Sequence, residues 1–318
     1  MESGEETGVE TGVETGQPRA EQSRSTVAAS IAGIAAALVV GGLLGLAGAQ
    51  GGTTVAGLPA FLVAGMLAFA VQWLAFIPAW IGKTEHYFDL TGSLTYISLV
   101  LVGLWVAADA RALLLAALVL VWALRLGSFL FTRVKAAGGD RRFDRIKSDF
   151  WQFLMTWTLQ GLWVFVTLAP ALAVMTSGRQ EPLGVLAVLG ATVWLAGFLI
   201  ESIADAQKRR FRGVPANAQR FISSGLWAWS QHPNYFGEIL LWTGVAIICL
   251  PVLEGWQMLT LVSPLFVYVL LTRISGIRML DNQARKRWGN DPDYLAYRAR
   301  TSRLLPLPPR SGQGQGAR

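Results

Sequence analysis

Long apolar runs recur along this chain, separated by short polar stretches, at about residues 27–46, 58–81, 90–108, 113–131, 150–175, 183–203, 235–250 and 256–272. A run of about 20 apolar residues wound as a helix crosses the ~30 Å hydrocarbon core of a bilayer. The pattern therefore predicts an all-α fold, a polytopic transmembrane helical bundle of about eight spans, with six to nine as the range. The seventh run is short, and the fifth is long with Pro170 near its end. Ahead of the first run, "MESGEETGVETGVETGQPRAEQSRS" is acidic and repetitive and lacks a cationic stretch before an apolar core. It reads as a disordered tail over residues 1–25, followed by an uncleaved anchor. Residues 26–309 form the membrane domain and 310–318 a flexible C-terminal tail.

Composition agrees with the pattern: 53% of residues are hydrophobic, 15% are charged, and there are 13 Trp. The net charge of +7 raises the question of a nucleic-acid partner, and the placement of the cations answers it. With the loop 133–149 on the cytoplasmic side, all of the 27 Lys and Arg fall there except Arg111, Arg179 and, within a span, Arg125. That asymmetry is the positive-inside pattern. It predicts a multi-pass protein of the cell membrane with both termini cytoplasmic, and it leaves no need for nucleic acid. A single cysteine, Cys249, and two histidines, His86 and His232, exclude disulfides and argue against a metal site. No Gly-rich phosphate loop of the Rossmann or Walker type appears, nor a Gly-x-Ser-x-Gly elbow.

Candidate chemistry gathers at the predicted cytoplasmic ends of the spans. In "GFLIESIADAQKRRFRG", Glu201, Asp205, Lys208 and Arg212 are spaced 4, 3 and 4 apart and share one helical stripe. Ion pairing along the stripe explains the two cations as well as any ligand does. Glu201 follows "WLAGFLI" at hydrocarbon depth, where an acid marks a cavity or a partner. In "GLWAWSQHPNYFGEILLWTG", Pro233 suits the first position of a helix, so the seventh span starts at His232-Pro233 with free amides suited to a phosphate. Asn234 and Glu238 share a face four residues apart, and Gly237 permits close approach of a neighbouring backbone or a ligand. Antiparallel packing of the two spans would set Glu201 and Asp205 near Asn234 and Glu238. Trp227 and Trp229 read as membrane-interface anchors. After the last span, Tyr294 and Tyr297 share a helical face, and with flanking Arg residues such as Arg300 they suit a nucleotide clamp; the many other Arg and Lys residues there suit anionic lipid headgroups.

These stretches, with the closing "WGNDPDYLAYRARTSRLLPLPP", resemble bacterial membrane proteins grouped with the steroid 5-alpha-reductase C-terminal domain, the DUF1295 type. The resemblance runs from Lys83 to Pro309, and "HPNYFGE" is its most specific part. It implies an integral membrane reductase that transfers a hydride from NADPH to the C=C bond of a lipophilic enone, a steroid- or isoprenoid-like small molecule. By position, it implies that Glu201, Asp205, Asn234 and Glu238 face the cofactor, with Lys208 and His232 beside them. It makes Arg212 the phosphate-binding arginine and Tyr297 the tyrosine near the C-terminal basic segment. Gln231 stands where the relatives carry Arg. In the N-terminal half the alignment fails, and the polar run "KTEHYFDLTGSLTY" is the comparable candidate for a proton donor. Reduction of an enone builds negative charge on its carbonyl oxygen, so Glu85, Tyr87 and Tyr96 are the catalytic candidates, with His86 behind them.

Two other classes remain open. Isoprenylcysteine-type membrane methyltransferases, which use S-adenosylmethionine, carry a similar "GLW…HPxYxG" stretch; "ESIADAQ" favours the reductase. A non-catalytic lipid-binding protein with a degenerate site is the third.

Overall fold

The computed structural model describes residues 17–309. The expected tails at 1–16 and 310–318 lie outside the described residues. Helix α1 (Gln17–Gly48) begins inside the segment expected to be disordered. Ala, Glu and Gln in "QPRAEQ" are good helix formers and Pro18 suits a first turn, so backbone order outruns the apolar run.

Six more long helices follow: α2 (Ala60–Ile81), α3 (Phe88–Val106), α4 (Ala110–Ala137), α5 (Phe150–Met175), α6 (Val185–Arg212) and α7 (Pro233–Cys249). The last spanning stretch, Gly255–Trp288, is continuous but changes pitch. It comprises a 3-10 segment (Gly255–Val262), α8 (Ser263–Val269), a π turn (Leu270–Ile274) and α9 (Gly276–Trp288), and α10 (Pro292–Arg300) comes after it. Seven of these stretches are long and apolar enough to cross a membrane among the described residues. Helix α7, at 17 residues, is the short one expected. The only strands described form a two-residue hairpin, β1 (Thr54–Val55) with β2 (Leu58–Pro59), turned by Ala56 and Gly57 at positive φ.

Helix α5 is the axis of the bundle. Every residue from Val164 to Met175 is buried, because α1, α2, α3, α7 and α8 all pack around it. A helix apolar on all sides belongs at such a position. Asp149 starts it by accepting the Gln152 amide at 2.9 Å. Asp109 starts α4 in the same way, accepting from Arg111 and Ala112 at 2.8 and 2.9 Å.

The closest helix pair is α6 with α7, and glycines explain it. A Cβ on Gly237 would lie 2.6 Å from both the Glu201 amide nitrogen and the Gly197 carbonyl oxygen. One on Gly244 would lie 2.5 Å from the Gly190 carbonyl oxygen and the Trp194 amide nitrogen. Small residues seven apart on each helix thus let the two backbones touch, the arrangement that packs helices where lipid supplies no hydrophobic drive. The space beside Gly237 is filled by α6 backbone.

At one end of the bundle Arg111 is buried and caps the far terminus of α7, donating to the Ile248 carbonyl at 2.5 Å and to the Pro182 carbonyl at 2.7 Å. Carbonyls at a helix C-terminus carry partial negative charge, so a cation is favoured there. The opposite, basic end gathers the 133–149 loop, the ends of α6 and α9, and α10.

Candidate functional site

Deep at the basic end, three helices bring charge together. Arg125 of α4 pairs through Nη2 with Glu201 and through Nη1 with Asp205 at 3.1 Å. The two carboxylates are one helical turn apart on α6, so a planar guanidinium spans both. Trp122, three residues before Arg125, donates its indole N–H to Glu201 at 3.2 Å. From α7, Asn234 donates to Asp205 at 3.3 Å. The close glycine packing of α6 on α7 makes that last contact possible.

Glu238 completes the cluster. It lies one turn beyond Asn234, in the electrostatic field of Glu201, Asp205 and Arg125. Arg125 is committed to the other two acids, and the Glu238 carboxylate makes no hydrogen bond or ion pair among the described residues. Below the acids, Tyr96, Trp122 and Trp242 form a closed aromatic triad with ring centroids 5.0, 5.0 and 5.7 Å apart. The Tyr96 hydroxyl is hydrogen-bonded to Thr167 of α5.

Toward the surface of this end lie the other candidates. Lys208 stands 4.7 Å over the Trp227 ring and Arg212 5.9 Å over Trp288. The stripe on α6 thus divides: its acids face α4 and α7, while its cations lie against aromatic rings. Trp227 is not an interface anchor. It is buried and donates to the Ala204 carbonyl at 3.0 Å, because the 225–228 turn folds back onto α6; Trp229 stays 46% exposed.

His232 precedes α7 without capping it by its side chain. Its ring stacks on Tyr235 at 5.7 Å and sits 3.8 Å from the Asp281 carboxylate, and neither ring nitrogen makes a hydrogen bond. Burial holds its pKa below the usual imidazole value, with Asp281 opposing. Arg303 and Arg298 meet the same Asp281 at 3.0 and 3.8 Å. Tyr297 is buried, and its hydroxyl donates to the Trp227 carbonyl at 2.8 Å. With exposed Arg300 and Arg220 it lines a groove of about 290 Å³. Gln231 donates to the Arg298 and Thr301 carbonyls at 3.2 and 2.8 Å, tying α7 to the C-terminal segment.

Glu85 and Tyr87 are not brought to this cluster. Glu85 is buried in the loop before α3, where it accepts from the Asp140 amide and pairs with Lys147, both at 2.9 Å. Burial works to raise its pKa, but those two hydrogen bonds and the Lys147 charge outweigh it and hold the carboxyl below its usual value. It clamps the 133–149 loop. Tyr87 is 61% exposed, and His86 exchanges a 2.6 Å hydrogen bond with neighbouring Thr84. Of the three catalytic candidates, Tyr96 alone borders the acids, through Trp122.

Sequence reasoning missed the organising residue, Arg125. The available signal was its position, a single cation in the middle of an apolar run.

The family described as "Protein of unknown function (DUF1295)" matches residues 75–301, a stretch that includes all of this cluster. The chain belongs to this family. No curated protein and no solved structure matches it. The DUF1295 match begins inside α2 and ends just after α10, so α1 and the β1–β2 hairpin stand outside it.

Proposed function

We propose that this protein is an integral membrane reductase that uses NADPH to reduce the C=C bond of a lipophilic enone. The observation that carries the reading is the unpaired Glu238 carboxylate beside Asn234. Glu238 is only partly enclosed, so its open acceptors are within reach of a ligand, and pairing them with a ligand N–H or O–H contributes to binding. The nicotinamide carboxamide and ribose hydroxyls have such donors. Glu201 and Asp205, both paired with Arg125, shape the wall opposite. Lys208 and Arg212 lie on the same helix one and two turns nearer the surface, where the phosphates of NADPH belong.

NADPH supplies the hydride. Asn234 and Glu238, both partly exposed, would hold the nicotinamide half. With Glu85 committed to Lys147, the candidate hydrogen-bond donor to the enone oxygen is Tyr96, whose hydroxyl would have to turn to the substrate from Thr167. The substrate reaches the site from the bilayer.

A second reading has one observation in its favour: an unpaired carboxylate among other acids also suits a sulfonium, so S-adenosylmethionine is the competing ligand. Thermal unfolding of the detergent-purified chain separates the two. A ligand at 100 times its dissociation constant stabilises by about 2.7 kcal/mol. NADPH is expected to raise the melting temperature, and Glu238→Gln and Asn234→Ala to weaken its binding by about 5- to 150-fold each. A rise with S-adenosylmethionine and none with NADPH sinks the reductase.

A further inference from the structure

The last spanning stretch ends unlike the others. After α8, the π turn Leu270–Ile274 interrupts the helix, and α9 then continues from Gly276 to Trp288 with "GIRMLDNQARKRW". A π turn offsets the side-chain register of the helix beyond it. On one side of α9, Gly276 and Ile277 are buried and Asp281 engages Arg298 and Arg303. On the other, Arg278, Asn282, Arg285 and Lys286 are exposed.

That outer face carries a groove of about 310 Å³ lined by Ile274, Arg278, Met279, Asn282, Gln283 and Lys286. No acid lines it, and Arg278 and Lys286 make no hydrogen bond or ion pair among the described residues. Asp281, the acid nearest in sequence, is taken by Arg298 and Arg303 on the opposite side. One lip is apolar: Ile274, 64% exposed, is the last residue of the π turn that closes the apolar part of the span. The groove therefore begins where the apolar span ends.

We infer that this groove is a binding site for the headgroup of an anionic phospholipid. Arg278 and Lys286 are eight residues apart, about 12 Å along the helix. Their flexible stems let both charges approach the Asn282 level midway. A phosphodiester there receives two cations and the side-chain amides of Asn282 and Gln283, while the acyl chains lie along Ile274 and Met279. The apolar lip favours a lipid over a free phosphate, which has no use for it. The site is independent of the reductase reading, since it lies on the outer face of α9, away from Glu238.

The test is native mass spectrometry of the full-length chain in nonionic detergent, titrated with phosphatidylglycerol or with phosphatidylcholine of the same acyl chains. The expected result is one tightly retained phosphatidylglycerol, favoured over phosphatidylcholine. Arg278→Gln and Lys286→Gln should each weaken it about fivefold, and together abolish the preference. Arg209→Gln with Arg210→Gln removes equal charge from the end of α6 and should keep it. The inference is overturned by a preference that survives the α9 double substitution, or by equal loss in the α6 control. Displacement of the lipid by millimolar inorganic phosphate also overturns it, in favour of a soluble ligand. The unbonded side chains make folding robust to these changes; should the melting temperature fall, Arg278→Lys keeps the charge and must keep the preference.

Discussion

Arg125 is the residue on which the polar cluster depends. Its side chain is 20% exposed, against 4% and 11% for Glu201 and Asp205, so the acids are the more deeply enclosed partners. Removing one member of a buried pair leaves an uncompensated charge, which typically costs about 3–5 kcal/mol. Arg125→Ala is therefore expected to lower stability by about that amount in detergent unfolding. Arg125→Lys should fall between, because an ammonium cannot fork across two carboxylates. Joint replacement of Arg125 and Glu201 by Gln should recover part of the loss, since opposite charges then leave the interior together and one fewer acid is left unpaired. Wild-type stability in Arg125→Ala would show that water reaches the cluster and that the pair is not a buried one. Spacing within α6 made the Glu201–Asp205 face readable from the sequence. The Arg125–Glu201 contact joins residues 76 apart, and nothing local records the rotation of α4 that sets it.

At the scale of elements, apolar run length located the spans because bilayer thickness dictates it, but it reads solvent rather than backbone. Helices α4 and α6 overrun the expected 113–131 and 183–203, and their polar extensions, to Ala137 and Arg212, carry much of the basic end. The break in the last span was not legible, since a π turn at Leu270–Ile274 needs no special residue type. Helix pairing was half legible: Gly237 announced a close approach, but only packing shows that Gly197 answers it. Gly237→Ala places a methyl 2.6 Å from two α6 backbone atoms, and backbone cannot yield as a side chain tip can. Overpacking of this kind costs about 1–3 kcal/mol. It should also separate Asn234 from Asp205, weakening the ligand bound there. Gly42→Ala is the matched control. Nothing lies within 4 Å of its Cβ, and it lies within α1, so a gain of about 1 kcal/mol in helix propensity is expected. Equal melting temperatures for the two variants would deny the tight α6–α7 contact.

For the whole molecule, the arrangement of charge sets the orientation. Contacts link the cation-rich segments at one end: Glu85 to Lys147, Asp89 to Arg133 at 3.4 Å, and Trp288 to the Gln219 carbonyl at 2.6 Å. Arg111 and Arg179 belong to the opposite end, where Arg111 is consumed by backbone carbonyls and Arg179 pairs with Glu181 at 2.8 Å and with Glu254. Free positive charge is thus confined to one side even more strongly than the sequence count implies. Short cationic loops are retained on the cytoplasmic side during insertion, so the basic end is expected to be cytoplasmic. Cysteine labelling tests this cleanly, because the native Cys249 is fully buried and gives little background. Lys135→Cys and Ala299→Cys sit at exposed positions of the basic end, and Thr54→Cys at an exposed position of the other. In intact cells a membrane-impermeant maleimide should label Thr54→Cys alone, and all three should react after permeabilisation. Labelling of Lys135→Cys before permeabilisation would invert the topology and place the Glu238 cluster on the side away from cytoplasmic NADPH. The orientation experiment therefore also bears on the reductase proposal, which requires the basic end to face the nucleotide pool.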